Sequence, residues 1–398
     1  MNKFFDIAVI GNGMMGAAAT RYLRAAGLEV AAIGPNEPAD WQNHQGVFAS
    51  HYDQGRITRI IDPDEVWGLL GKRSIAVYPE VEAQSSIKFH HAASCLRVSA
   101  DPTAPGDTIL QAEQVGRTHD AAFTIERVGE GLDDIFPFLQ FPVGALALWE
   151  RGGAGYVNPR QLVQAQLTIA AQQGATVVPE AVTALTTTPS GVTVTTTAGQ
   201  QIQARNALIA AGAYSGWLLQ RPLDLRRKAV TVLLAELAAP EAGRLRALPS
   251  IIYRLDNHPV LASIYSLPPI VYPDGKTYLK IGGTLRETKY VYTANEVRDW
   301  FQSTGNPVEV EALREVLLTM IPELAIQSFR SKPCVVTYTA HDYPYIDQVE
   351  EQIYVAAGGC GASAKSSNEL GRIAALLVEK GQWHYDLPAA LFAARFAN

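Results

Sequence analysis

Two arginines three residues apart, Arg56 and Arg59, stand in the stretch "SHYDQGRITRII", and Gly11, Gly13 and Gly16 spell G-x-G-x-x-G near the start of the chain. Each pattern suits a particular chemistry. A guanidinium offers a planar fork of donors that can grip a carboxylate at two points. A fixed cation can also stabilise negative charge that develops on a bound ring. On their own, two arginines in a polar loop could equally make surface ion pairs. The glycines are more specific. Gly11 allows a tight turn, Gly13 lacks the Cβ that would block a pyrophosphate, and Gly16 lets a helix lie close on a strand.

The elements around the glycines decide between a phosphate cradle and an ordinary packed turn. Residues 6–10 form a short apolar run of β type, residues 17–26 are good helix formers, and Gly27 stops them. Strand, glycine loop and helix in that order are the context a dinucleotide motif requires. The helix N-terminus then offers free N–H groups and a positive dipole end to phosphates. The second strand, residues 28–33, ends in Gly34 where an acidic residue would take the ribose hydroxyls, and Glu37 follows three residues later. Glu37, backbone groups or water could hold that ribose. The fingerprint alone does not separate a flavin from a nicotinamide dinucleotide.

Composition excludes several classes. The chain has 398 residues, of which 47% are hydrophobic and 18% charged, enough for a large core and too few charges for disorder. The formal net charge of −6 gives no general attraction to nucleic acid or acidic membranes. No apolar run reaches the roughly 20 residues of a membrane span, and with the first strand starting by residue 5 no signal peptide is expected. The cysteines, Cys95, Cys334 and Cys360, are widely spaced, with no C-x-x-C and no metal-ligand spacing. A cytoplasmic, metal-free protein is expected.

Further along, residues 65–78 read as helical. Residues 155–178 read as a helix opening at Asn158-Pro159, stopped by Gly174, then a strand. Residues 181–211 alternate apolar and polar with turns between, a β-meander that ends in a buried strand at 207–211. Strand-like runs "KAVTVLLAEL" and "VLASIYSL" precede a helix near 308–320, and residues 351–381 read as strand, glycine-rich loop and helix. Parallel and meander signals interrupted by a different β-rich region suggest two interleaved domains.

With these pieces in place, the chain resembles the FAD-dependent amine oxidases of the D-amino-acid oxidase superfamily, most of all the branch of monomeric sarcosine oxidase and N-methyl-amino-acid oxidases. The similarity rests on "AVIGNGMMG", "SHYDQGRITRII", "GYVNPRQLV", "ALIAAGAYSGWLL", "YLKIGG", "PCVVTYTAHDYPYID" and "GGCGASAKSS", in that family's order, and on the tail "DLPAALFAARF". The resemblance implies a mixed α/β fold. A Rossmann-like FAD-binding domain (1–80, 151–220 and 331–398) is interleaved with a β-sheet substrate domain (81–150 and 221–330).

The resemblance also implies roles. Arg56 faces the flavin ring, and Arg59 and Lys365 take a substrate carboxylate. Lys365 stands in a glycine-rich loop at a helix start, an end that disfavours a cation and so calls for an anionic partner. Lys280 in "YLKIGG" reaches the flavin through water and activates oxygen. Ser50 and His51 lie at the flavin's edge. Gly11, Gly13, Gly16, Val178, Gly212 and Gly361 hold the dinucleotide. Cys334 carries the flavin through a thioether, with Asp347 thirteen residues on. The implied reaction takes an amino acid, N-substituted or cyclic, to an imine by transfer of the equivalent of a hydride to the flavin, and reduces oxygen to hydrogen peroxide. The partners are a small amino acid or amine and oxygen, in a monomer or small homo-oligomer. Thr284 and Ala362 stand where the family often has histidines, which puts sarcosine itself in more doubt than the reaction type. Rival readings are a dehydrogenase with another electron acceptor, a D-amino-acid or glycine oxidase with non-covalent FAD, and a flavin-binding subunit of a complex.

Overall fold

The computed structural model of the chain describes residues 3–397. Its first strand, Phe4–Ile10, buries residues 7–10 and pairs in parallel with Val30–Ile33 on one side and Gln201–Ile209 on the other. Thr176–Val178 extends the parallel set beyond Val30–Ile33, and Ile353–Ala357 pairs in parallel with Gln201–Ile209. Val182–Thr188 and Gly191–Thr196 form the expected meander, and Tyr345–Glu350 completes an eight-stranded sheet. The helix Met14–Ala25 lies on this sheet through the buried Ala17, Ala18 and Ala19. It packs on the helix Ser363–Lys380 at Gly371, where a Cβ would fall 2.5 Å from that of Ala18. The helix Pro159–Gln172 begins as expected, with Asn158 Oδ1 accepting from the Gln161 N–H at 3.2 Å.

The helix starting at Glu65 differs from its expected end. It runs to Ser85, straight through Pro79. Proline removes one helix hydrogen bond, but Tyr78 and Val81 join a buried cluster with Phe89 and Leu162 that holds the last turns in place.

A second, nine-stranded sheet contains Cys95–Ser99, Phe123–Arg127, Leu146–Glu150, Arg226–Leu237, Ser250–Arg254, Leu261–Val271, Thr277–Leu285, Lys289–Val291 and Ile326–Tyr338. The last strand pairs with Arg226–Leu237 from end to end, so it crosses the boundary expected at 331 and carries Cys334 within the second sheet. One face of this sheet packs on a core that includes Leu96, Val98, Ile251, Ile264, Leu279 and Ile281. Side chains alternate along a strand, so Arg97, Ile252, Tyr265 and Lys280 share the opposite face. The register sets Arg97 against Ile252, Ile252 against Tyr265 and Tyr265 against Gly282. A Cβ on Gly282 would lie 2.6 Å from the Tyr265 ring, so the glycine makes room for that ring.

A small third sheet joins Arg56–Thr58 to Gly155–Val157 and His90–His91. The sequence reading did not anticipate the helices Ile109–Thr118 and Ala294–Gln302, though the second carries a complete capping box between Thr293 and Glu296.

Candidate functional site

A cavity of about 440 Å³ opens over the ends of the parallel strands. Its floor is the loop after the first strand, where Gly11 has φ +113° and its N–H bonds to the Ile33 carbonyl at 2.7 Å. A Cβ on Gly11 would sit 2.4 Å from the Ala210 carbonyl oxygen, and one on Gly16 would sit 1.9 Å from the Gly11 carbonyl oxygen. These two glycines serve the packing of the turn. Gly13 is different, because a Cβ there would meet nothing nearer than His51 Nδ1 at 3.8 Å. The space above Gly13 belongs to the cavity.

Two helices start at this cavity, Met14–Ala25 and Ser363–Lys380. Neither has a side-chain cap or an acidic residue in its first turn. Their free N–H groups and positive dipole ends suit phosphate and an electron-rich ring. Asn12 lines the cavity, and its Oδ1 is buried with no partner among the described residues. Open space above Gly13, two uncapped helix starts and this orphaned acceptor fit a bound dinucleotide.

Gly212 lines the same cavity, and so does Gly361, which has φ +74°. Val178 does not border it. Its carbonyl accepts the Gly34 N–H at 3.0 Å, while residues 181–183 line the wall. Glu37 is also committed elsewhere, since Arg160 grips both of its oxygens at 2.6 Å. The cavity wall near Gly34 therefore offers backbone groups and no free carboxylate from Glu37.

Ser50, Arg56 and Cys334 stand together at one end of the cavity, and His51 lies close to the Gly13 loop. Ser50 Oγ donates to the Val335 carbonyl at 2.7 Å, and its own carbonyl accepts from Arg56 Nη2 at 2.8 Å. Arg56 Nη2 also lies 3.7 Å from Cys334 Sγ. Burial holds the His51 imidazole down to about 4, so it is neutral at ordinary pH. Cys95, in contrast, is a sealed thiol whose pKa burial pushes up to about 12.

Behind this end lies a buried carboxylate hub that the sequence reading missed. Asp53 accepts from Arg56, from Lys280 Nζ at 2.6 Å, from Tyr272 Oη at 3.1 Å and from the Gln54 N–H at 2.8 Å. Lys280 is fully buried and donates also to the Gly55 carbonyl at 2.9 Å. Burial and the Arg56 charge push the Lys280 ammonium well below its usual value. The adjacent Asp53 carboxylate opposes that shift. Lys280 thus anchors the turn that carries Arg56, and its ammonium lies 5.5 Å from the centre of the Tyr265 ring.

A second hub is Asp62. Arg59 Nη2 reaches its Oδ2 at 2.8 Å and Lys365 Nζ reaches the same oxygen at 2.9 Å. The two cations expected to meet at a substrate carboxylate do converge, but on a carboxylate of the chain itself. Lys365 is sealed, with a second bond to the Trp67 carbonyl at 2.9 Å. Burial lowers its pKa to about 8 against the pull of Asp62. Burial alone would raise Asp62, but Lys365 and Arg59 hold it well below the carboxylate range. Arg59 keeps 16% of its side chain exposed.

Glu150 fixes the segment between these hubs and the second sheet. Its two oxygens accept the N–H groups of Ile60 and Ile61 at 2.7 and 2.9 Å. Glu150 is paired with Cys95, two residues before Arg97. Thr284 pairs with Ser263 on two interior strands of the second sheet, and Ala362 precedes the last helix. The missed carboxylates had one legible signal. Asp53 and Asp62 each stand three residues from an arginine, Asp53 before Arg56 and Asp62 after Arg59.

Among the described residues, no group of three or more His, Cys, Asp or Glu side chains could hold a metal, and no helix is long and apolar enough to cross a membrane.

Comparison with known proteins agrees with this architecture. Monomeric sarcosine oxidase from Streptomyces avermitilis is 27% identical over 414 residues, covering 99% of this chain and 98% of the relative. The solved structure of NikD, an unusual amino acid oxidase essential for nikkomycin biosynthesis, superposes with a TM-score of 0.78 at 17% identity, covering 100% of this chain and 99% of that one. Glycine oxidase from Geobacillus kaustophilus gives 0.74 at 18% identity, and L-proline dehydrogenase from P. horikoshii gives 0.75 at 18%. The glycine oxidase match covers 98% of both chains, and the dehydrogenase match covers 99% of this chain and 97% of its own. The profile described as DAO, FAD dependent oxidoreductase, matches residues 6–377, and this chain is a member of that family, an FAD-dependent oxidoreductase.

Proposed function

We propose that the protein oxidises the C–N bond of a small amino acid, N-substituted or cyclic, to an imine, with oxygen as the final acceptor and hydrogen peroxide as its product. The observation that carries this reading is the convergence of Arg59 and Lys365, from segments far apart in sequence, beside the turn at Ala364 that lines the cavity. Asp62 neutralises one of the two cations, and the Nη1 of Arg59 is left to receive a second carboxylate. Bound FAD supplies the two-electron oxidant.

The chain's own residues then orient and insulate. Gly11 and Gly13 shape the phosphate cradle, Arg56 places a positive charge against the ring, and neutral His51 gives its edge a polar neighbour that carries no charge. Arg59 offers a carboxylate the donors that Asp62 does not use. Cys334 is the side chain that would make a covalent link.

The proposed chemistry is tested by an anaerobic screen of N-methyl, cyclic and D-amino acids for bleaching of the flavin bands, followed by admission of air and titration of peroxide. Bleaching by at least one such acid, with stoichiometric peroxide on reoxidation, supports it. No bleaching by any of them rejects it.

A second reading has one observation in its favour. Lys280 is sealed and already paired with Asp53. An enzyme that passes electrons to an acceptor other than oxygen would need no free cation there. In that case the substrate bleaches the flavin, and the reduced form persists in air.

A further inference from the structure

Arg97 is the one cation at the edge of the Asp62 hub that the reading above leaves without a task. It stands on the Cys95–Ser99 strand, on the same sheet face as Ile252, Tyr265 and Lys280. Glu150, paired with Cys95 on the neighbouring strand, holds the N–H groups of Ile60 and Ile61 and so pins Arg59 opposite this strand. Among the described residues Arg97 makes no ion pair, and its single hydrogen bond runs from Nη2 to Thr108 Oγ1 at 3.0 Å. Its Nε and Nη1 are without partners there. Arg59 bonds through Nε to the Ile61 carbonyl and through Nη2 to Asp62, which leaves its Nη1 without one. Both side chains are partly open, whereas Lys365 is sealed and its ammonium is directed at Asp62 and Trp67.

The charges have the same sense. Arg97 has Arg59, Asp62 and Asp107 as charged neighbours, but Asp62 is bonded to Arg59 and Lys365 and Asp107 is paired with Arg254 at 3.3 Å, so neither carboxylate is committed to Arg97. A partly buried guanidinium without a carboxylate of its own is costly unless a counter-ion arrives. A substrate carboxylate, brought by a neutral amine, supplies one. A guanidinium that is desolvated by its surroundings and crowded by Arg59 gains most from such an anion, and burial and the Arg59 charge both act on Arg97 in that direction.

We propose that Arg97 is a substrate-binding residue that shares the substrate carboxylate with Arg59, and that Lys365 is a positioning residue acting behind them through Asp62. This rests on the reading that the substrate carries a carboxylate. Thr108 aims the Arg97 guanidinium, and Asp62 keeps Arg59 turned toward the same point.

The test is a titration of the FAD-loaded protein with propionate and cyclopentanecarboxylate, and with their amides, at constant ionic strength. Binding is read as a perturbation of the flavin absorbance. Wild-type protein should bind the acids and ignore the amides. Arg97→Gln should weaken the acids roughly ten- to a hundredfold, the loss expected for hydrogen bonds to a charged group, and Arg97→Lys should recover part of it. If Arg97→Gln does not load flavin, Thr108→Val decides, with a several-fold loss of acid affinity expected. Arg97→Gln or Thr108→Val at wild-type affinity, with Arg59→Gln impaired, overturns the role of Arg97 and leaves the carboxylate reading standing. A wild-type protein that does not distinguish acids from amides overturns both.

Discussion

Lys365 Nζ lies 2.9 Å from Asp62 Oδ2, in a pair that is almost sealed from solvent, and Arg59 reaches the same oxygen from the other side. The pair is a structural commitment as well as part of the proposed site. Breaking a buried ion pair from one side leaves an uncompensated charge, which typically costs about 3–5 kcal/mol. Asp62→Asn should therefore lower the free energy of unfolding by about that amount, measured by urea denaturation of the FAD-loaded protein. A change within experimental error would show that the hub is a solvated surface pair.

The same pair gives stability a pH dependence. Lys365 titrates at about 8 in the folded protein, below an unfolded lysine. Above that point the unfolded chain holds a proton that the folded one has released, so stability from this group rises with pH from about 8 toward the usual lysine value near 10.4. Asp62 acts in the same direction at acid pH. Its depressed pKa contributes stability that is present above the unfolded aspartate value and is lost as pH falls below it. Urea midpoints recorded against pH should show the alkaline rise in wild-type protein and lose it in Lys365→Met.

Gly11 and Gly13 should respond differently to substitution. Gly11→Ala places a Cβ against the Ala210 carbonyl at a φ that disfavours any side chain, so folding should suffer. Gly13→Val meets open space and should fold, but its side chain fills the room a pyrophosphate needs. Circular dichroism with flavin extraction separates the two outcomes. A Gly13→Val protein that retains full FAD would remove this loop from the cofactor site.

Much of this was legible in the chain. The strand, glycine loop and helix at the N-terminus, the Asn158 cap and the terminal helix ended by Gly381 follow from local rules, because each is stabilised within a few residues. The helix past Pro79 was not legible, since its last turns depend on Phe89 and Leu162. The site divides the same way. Gly13, Arg56 and Cys334 lie on the cavity. The pairings of Lys280 with Asp53 and of Lys365 with Asp62 span 227 and 303 residues, and periodicity does not reveal contacts at that range. Arg97 carried no signal either, since one arginine on a strand is unremarkable until the sheet register faces it toward Arg59.

Cys334 should hold the flavin covalently. Its sulfur borders the cavity 3.7 Å from Arg56 Nη2, where a ring placed against that guanidinium would come within its reach. Acid precipitation of the loaded protein should give a yellow pellet, and Cys334→Ala a colourless one. A colourless wild-type pellet would place the chain with non-covalent flavin oxidases and leave Arg59 and Arg97 unaffected.

Lys280→Met should slow reoxidation of the reduced flavin by oxygen by about tenfold or more, a barrier change of at least about 1.4 kcal/mol, and leave anaerobic reduction nearly intact. The Asp53 hub would lose one of its two cations, and with it the positive field on this side of the cavity. Stopped-flow absorbance after mixing with aerated buffer measures it, and an unchanged rate would confine Lys280 to anchoring the Arg56 turn.

The account depends most on the claim that the enzyme selects an amino acid by its carboxylate. The most direct measurement is anaerobic reduction of the bound flavin by an active amino acid and by its decarboxylated amine, in wild-type protein and in Arg59→Ala. The account predicts that wild type strongly prefers the acid and that Arg59→Ala loses roughly 10- to 150-fold toward the acid, as expected when one charged hydrogen-bond partner is removed, with little change toward the amine. Equal losses toward both, or a wild-type enzyme that reduces as fast with the amine as with the acid, would contradict it.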